Sequence, residues 1–292
     1  MSLESCLTLI DAASSERVLY AGETIIDEYR FGSVLARPPK EPVLALRTKK
    51  SEVYQGGVAA AFAHGRNFCQ AGQITTGNKI RKIRFVEENY ARKMFEAQEI
   101  EDGDSKDLLP AEILARYWTL AACDFGHGMF TPAVIEQLAA WSGFLCVAVQ
   151  SNAANAGFNL ITKYPRADYA VIDEPEARLA AADRRSGIEA IMRKLAAERF
   201  GTLIVTHGKH GAYGLRGDEF LHVPTHSSLP LDTMGAGDAF FAVTAPMARD
   251  GALEDLLTIG CAAGALKTQI LGHQKAVTKD ALIDYLKAHA TR

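Results

Sequence analysis

Short apolar, partly β-branched runs alternate with amphipathic helical stretches along most of this chain. Residues 17–21, 144–149, 169–172 and 202–206 are runs of the first kind, with the composition of strands buried on both faces. Stretches 131–141, 176–182, 186–197 and 254–271 carry apolar residues at helical spacing, several of them after Thr, Ser or Asp-rich starts. Such a βαβ series predicts an α/β fold: a doubly wound, mainly parallel sheet covered by helices, with ligands at the carboxyl ends of the strands. At 292 residues and 48% hydrophobic, residues 1–292 can share one large core, so a single domain is expected.

Two segments break the alternation. Residues 28–53 and 79–99 are rich in charge and in short extended runs, such as 43–47 and 82–86, and would suit a small antiparallel sheet outside the main layer. Pro38, Pro39 and Pro42 mark a turn inside the first.

The sharpest local signal is Asp232-Thr233-Met234-Gly235-Ala236-Gly237-Asp238, running into the apolar segment Ala239-Phe240-Phe241-Ala242-Val243. Glycines on either side of Ala236 let the backbone turn tightly, and the helix that follows would aim unpaired N–H groups at one spot, a seat for phosphate or developing negative charge. Asp238 at the positive end of that helix is favoured as an ionised carboxylate, the state a general base needs. The plainer reading is a Gly-rich helix start capped by Asp.

These residues resemble the C-terminal signature of the ribokinase-like, or phosphofructokinase-B, carbohydrate kinases, which usually have Thr or Ser where this chain has Met234. The resemblance implies an enzyme that takes ATP and Mg2+ and phosphorylates a sugar or sugar phosphate. In that role Asp238 would deprotonate the accepting hydroxyl while the amides of Gly235, Ala236 and Gly237 hold the transferring phosphoryl group. That division of labour suits a reaction governed by positioning and charge stabilisation. By the same resemblance the segments 28–53 and 79–99 form a β lid, which in the family closes over the sugar and often pairs with a second lid in a homodimer. Asp232 is the place where a monovalent cation would be sought.

Other motifs fall into the same pattern. Gly22-Glu23-Thr24-Ile25-Ile26-Asp27 follows the first strand, and Asp27 would accept hydrogen bonds from sugar hydroxyls as its family counterpart does; alone, it is as well read as a solvated turn residue. Gly56-Gly57 before a small-residue helix matches the family's N-terminal signature, where bare backbone approaches the substrate, although Ala60 stands where relatives often carry Asn. Asp173-Glu174-Pro175-Glu176 opens a helix after a strand. Glu176 matches the Glu of the family's Asn-x-x-Glu pattern, which acts through magnesium and its waters, and Asp173 replaces the Asn; ordinary helix capping explains the same pair. Thr206-His207-Gly208 resembles a nucleotide-binding turn, with Thr206 toward a phosphate and Gly208 leaving room, while His207 and His210 read as loop residues. Cys261, in a small-residue helix expected beside the adenine, replaces the Asn or His of many relatives.

Three look-alikes carry no weight. Asp124-Phe125-Gly126 lacks the catalytic loop of protein kinases, Gly72 to Lys79 is interrupted by Asn78 as a P-loop, and His127 has no second ligand at metal spacing. The run 150–159 with 163–169 is similar to the kinase half of bifunctional heptose-phosphate kinase/ADP-heptose synthases, relatives often joined to a nucleotidyltransferase domain; its signature is not found in this sequence, which is either a kinase alone or a piece of a longer polypeptide that carries the domain. Between Gly77 and Arg84 the chain is shorter than such relatives, and Pro246 should kink or end the helix after Asp238. The basic cluster Lys79, Arg81, Lys82 and Arg84 either meets a phosphorylated sugar or is a solvated guard on a sheet edge.

A net charge of −3 and a pI near 6.3 give no attraction to nucleic acid or anionic lipid, and no apolar run approaches membrane-spanning length. Five cysteines in apolar surroundings, without a Cys-x-x-Cys pair, read as reduced core thiols of a cytoplasmic protein. The readings held in reserve are a nucleoside or other small-alcohol kinase of the same fold and a catalytically silent sugar- or nucleotide-binding subunit.

Overall fold

In chain order the protein forms α1 (Leu3–Ala12), β1 (Arg17–Gly22), β2 (Thr24–Val34), β3 (Leu46–Gly57), α2 (Val58–Gly65), β4 (Gln70–Thr75), β5 (Ile80–Glu87) and β6 (Arg92–Ile100). There follow α3 (Ala111–Leu114), β7 (Thr119–Asp124), α4 (Pro132–Ala140), β8 (Phe144–Val149), β9 (Ala167–Asp173), α5 (Glu174–Ala181), α6 (Ile188–Ala196) and β10 (Phe200–Thr206). The chain ends with β11 (Ala212–Arg216), β12 (Glu219–Val223), α7 (Ala236–Thr244), α8 (Leu253–Lys267) and α9 (Lys279–His289). The structure, a computed structural model, describes residues 2–76, 79–89, 92–101, 107–197, 199–225 and 229–289. Gly77 and Asn78, on which two sequence expectations fall, lie outside the described residues.

The main sheet has the order β12-β11-β10-β9-β8-β7-β1-β4. Strands β4, β1, β7, β8, β9 and β10 pair in parallel, and the antiparallel β11 and β12 extend one edge. Because side chains alternate along a strand, each central strand feeds two cores. Val18 and Tyr20 of β1 enter one apolar cluster with α1, α2, α7, α8 and α9, while Leu19 and Ala21 enter the other with α4, α5 and α6. This is the doubly wound, mainly parallel sheet that the sequence pattern predicts.

The expected lid segments form a second sheet of order β3-β2-β5-β6. Its outer pairs, β2–β3 and β5–β6, are antiparallel, while β2 and β5 run parallel at its centre. Between β3 and β5 the chain returns through α2 and β4 of the main layer, so β5 re-enters the lid in the same direction as β2. Of the extended run expected at 43–47, only the end from Leu46 is strand.

One buried carboxylate fixes the root of the lid. Glu23, alone between β1 and β2 and fully buried, accepts the amides of Phe125, His127 and Met129, each at 3.1 Å. Burial and the neighbouring Asp124 carboxyl push Glu23 up to about 7 despite those bonds.

Helix α7 is seated on the sheet by polar bolts inside an apolar face. Residues 239–244 are all buried, and the Tyr20 hydroxyl donates to the Ala242 carbonyl at 2.7 Å. The Tyr169 hydroxyl meets Thr244 Oγ1 at 2.8 Å. The helix ends before Pro246, as expected, in a short 3-10 turn over Ala245–Met247. Helix α8 stops at Lys267, short of the expected residue 271, because the chain turns there to bring the Gly272 amide to Asp232.

Removing the hydroxyl in Tyr20→Phe orphans a buried carbonyl, so urea unfolding should show a loss of about 1–3 kcal/mol at unchanged m-value. A loss below a few tenths would mean that this bolt does not hold α7.

Candidate active site

A cavity of about 770 Å³ opens at the carboxyl ends of the main strands, beneath the lid. Gly235, Ala236, Gly237 and Asp238 stand at its centre, Asp27 and Gly57 on the lid side, and Asp173, Glu176, Thr206, Gly208 and Cys261 along the other wall. Among the residues given a catalytic, substrate, nucleotide or metal role in the sequence, Gly56 and Asp232 are the two that do not line it.

The central turn has the geometry that its glycines promise. Gly235 caps α7 in the left-handed conformation, with φ of 73°. Among the described residues, the amides of Gly237 and Asp238 have no acceptor, which leaves two donors at a helix N-terminus beside the cavity. Asp238 is bonded through Oδ1 to Gln150 Nε2, and its Oδ2 has no partner among the described residues. Burial pushes the Asp238 carboxyl up, and the nearby charges of His273 and Lys267 pull against that rise.

Asp27 is held on lid strand β2, not in a turn. It is 4% exposed and pairs with Arg84, which also bonds Glu96 at 2.9 Å. His273 Nε2 lies 3.2 Å from its other oxygen. Burial resists ionisation of Asp27, but the His273 bond and the Arg84 charge together hold its carboxyl below the ordinary value. Gly56 makes this approach feasible, because a Cβ there would stand 2.1 Å from Asp27 Oδ2. Gly57 enters α2 with φ of 61°, and a Cβ on it would meet the Glu23 carbonyl at 2.2 Å.

Asp173 and Glu176 form a reciprocal capping box on α5. Glu176 N donates to Asp173 Oδ1 at 2.7 Å and Asp173 N to Glu176 Oε2 at 2.8 Å. The second Glu176 oxygen accepts Ser151 N at 2.7 Å. The capping reading is therefore realised, on the wall of the cavity. Burial first, then the Asp173 carboxyl, pushes Glu176 up to about 8. Thr206 ends β10, Gly208 has φ of 51° with open space where a Cβ would be, and burial pushes the Cys261 thiol up to about 12.

The pfkB family carbohydrate kinase pattern matches residues 130–280, more than half of the 292-residue chain and inclusive of this central turn. The chain belongs to the pfkB family of carbohydrate kinases. The bifunctional protein HldE of Nitrobacter hamburgensis is 26% identical over 306 residues, covering 88% of this chain and 61% of that protein. The chain thus spans about three fifths of that curated relative's length. Arabidopsis thaliana ribokinase, solved with ribose and ATP, superposes with a TM-score of 0.71 at 14% identity, over 94% of this chain and 99% of that one. Escherichia coli phosphofructokinase-2, solved with potassium, gives 0.69 at 14% identity, again over 94% and 99%. These two share the ribokinase-like fold.

Three residues of this candidate site were given no role in the sequence. His273, Gln150 and Lys267 reach Asp27, Asp238 and the Met234 carbonyl from far along the chain. Lys267 left a trace as a lone cation ending an apolar helix, and Gln150 as the first residue of the run 150–159. The basic cluster divides between its two readings. Lys79 and Arg81 pair outside with Glu101, Glu28 and Glu99, while Lys82 and Arg84 line the cavity. The look-alikes are structural: Asp124 is buried against Tyr164 and Lys163, and His127 is buried with its amide on Glu23.

In Gly56→Ala the added methyl should displace the Asp27 carboxylate from His273. The ¹⁵N resonance of the His273 ring should then lose its hydrogen-bonded shift. An unchanged resonance would contradict this close approach.

Proposed function

We propose that this carbohydrate kinase transfers the γ-phosphoryl group of ATP to a hydroxyl of a sugar or sugar phosphate, with Asp238 as the base. The observation that carries the reading is the pairing, on the wall of one cavity, of two helix-start amides with a carboxylate oxygen, Oδ2, none of which has a partner among the described residues. Oδ2 takes the proton from the attacking hydroxyl, and its raised affinity for protons makes it the better base. The amides of Gly237 and Asp238, with the turn at Gly235 and Ala236, hold charge that builds on the moving phosphoryl group. Gln150 orients the carboxylate through Oδ1.

The acceptor lies toward the lid, against Asp27 and the bare backbone of Gly56 and Gly57. Lys82 lines this end, 8% exposed and without a hydrogen-bond or ion-pair partner among the described residues, which favours an acceptor bringing an anionic group of its own. The nucleotide lies along Thr206, Gly208 and Cys261. The ribose and ATP of the Arabidopsis neighbour support the same pair of ligands here.

Magnesium fits the opposite wall. Among the described residues no group of three or more His, Cys, Asp or Glu forms a cage, which suits an ion carried in on nucleotide phosphates and held through waters by Asp173 and Glu176. When bound, it would neutralise phosphate charge.

An ADP-release screen over sugars, sugar phosphates and nucleosides tests the reading. Release should be strongest with a sugar or sugar phosphate; none with any acceptor would sink it, and preference for a nucleoside would reassign the acceptor. Asp238→Asn should bind ADP nearly as well as the parent while turnover falls by roughly 10²–10⁴-fold.

Glu176 adds a pH dependence. Its folded carboxyl prefers the proton up to about 8, so its contribution to stability is full below the ordinary 4.5 and is lost as pH rises through 8. Cation binding runs the other way, since the ion needs the carboxylate. Calorimetric affinity for magnesium–ADP should therefore rise from pH 7 and level off above about 8, and Glu176→Gln should flatten the rise. A slope untouched by the substitution would remove Glu176 from the metal's surroundings.

A further inference from the structure

The surroundings of Asp232 are those in which a monovalent cation would be sought, yet protein donors already fill them. The residue is 5% exposed. Its Oδ1 accepts Lys93 Nζ at 2.7 Å and Met234 N at 3.0 Å, and its Oδ2 accepts Gly272 N at 2.9 Å and the Tyr29 hydroxyl at 3.3 Å. A weakly hydrated cation is held by carbonyl and carboxylate oxygens that replace its water shell. Lys267 Nζ donates to the carbonyls of Met234 and Ile270, at 2.7 and 3.4 Å, and the Thr268 carbonyl accepts the amides of Leu231 and Asp232, at 2.9 and 3.0 Å. A further unit charge would meet two ammonium groups, one of them, Lys267, fully buried. The residues do not fit a monovalent cation.

Lys267 is unusual in its own right. It is 0% exposed, and among the described residues its ammonium bonds neutral carbonyls only, with no carboxylate in contact. Burial disfavours its charge, and the nearby Asp232 and Asp238 carboxylates favour it. An unpaired buried ammonium is costly, so its retention calls for a use. Its stem lies against the central turn: a Cβ on Gly235 would stand 3.3 Å from Lys267 Cε.

We propose that the Lys267 ammonium is a tethered replacement for a monovalent cation, pinning the Met234 carbonyl and so the turn that presents the amides of Gly237 and Asp238. Lys267 is thus a positioning residue, and the protein works without potassium. The catalytic half of this inference rests on the phosphotransfer reading above; the half concerning ion binding does not.

The test compares potassium with tetramethylammonium, too large for any such seat, at matched ionic strength, in the parent and in Lys267→Met, which keeps an unbranched stem without the charge. The parent should show the same Tm and turnover in both salts. Lys267→Met should lose roughly tenfold or more in turnover in tetramethylammonium, because a small shift of a positioned group is costly. Potassium should restore part of that loss and raise the variant's Tm by about 2 °C or more. Potassium activation or stabilisation of the parent would overturn the proposal, as would a folded variant indifferent to potassium in both readouts. If Lys267→Met does not fold, rubidium soaked into crystals of the parent decides: a peak beside Asp232 overturns the proposal and a vacant site supports it. Melting curves need no turnover, so a parent that phosphorylates nothing would sink the kinase reading separately.

Discussion

The lid and the main layer hold each other by exchanging charge. Asp27 belongs to the lid and receives His273 from beyond α8; Asp232 belongs to the core and receives Lys93 and Tyr29 from the lid. Each carboxylate would be expensive to bury alone; Asp27 has Arg84 within its own lid and Asp232 has the Met234 and Gly272 amides within the core, and the meeting of the two layers adds the remaining partners. Asp238 lies between them and feels Asp27 as well as His273 and Lys267. The protonation of the proposed base is therefore tied to how the layers are joined.

This crossing explains which parts of the site could be read along the chain. The turn at 235–238, the diglycine at 56–57 and the strand-end pair Asp173 and Glu176 are local, and their glycines and capping residues act on near neighbours. The doubly wound sheet gathers the strand-end pair and the central turn at one cavity, and lid strand β3 delivers Gly57 to it. His273, Gln150 and Lys267 left little trace because their partners lie more than thirty residues away, so only the folded topology brings them together. The lid segments were visible as breaks in the βα alternation. Their central parallel pairing was not, since it depends on the detour of the chain through α2 and β4.

The capping box of Asp173 and Glu176 is compatible with the metal role proposed for them. A capping box fixes both carboxyls on backbone amides, and the same bonds set them rigidly on the cavity wall. Burial and mutual repulsion then leave Glu176 reluctant to ionise, a reluctance that a bound cation would relieve.

Glu23 carries a mechanical consequence. It occupies the single residue between core strand β1 and lid strand β2, and it fastens three amides of the 125–129 loop behind β7. The base of the lid is thereby riveted to the floor of the cleft. Any clamping down on a guest has to come from flexure farther out along β2 and β3, in the manner of a leaf spring rather than a door on a pin.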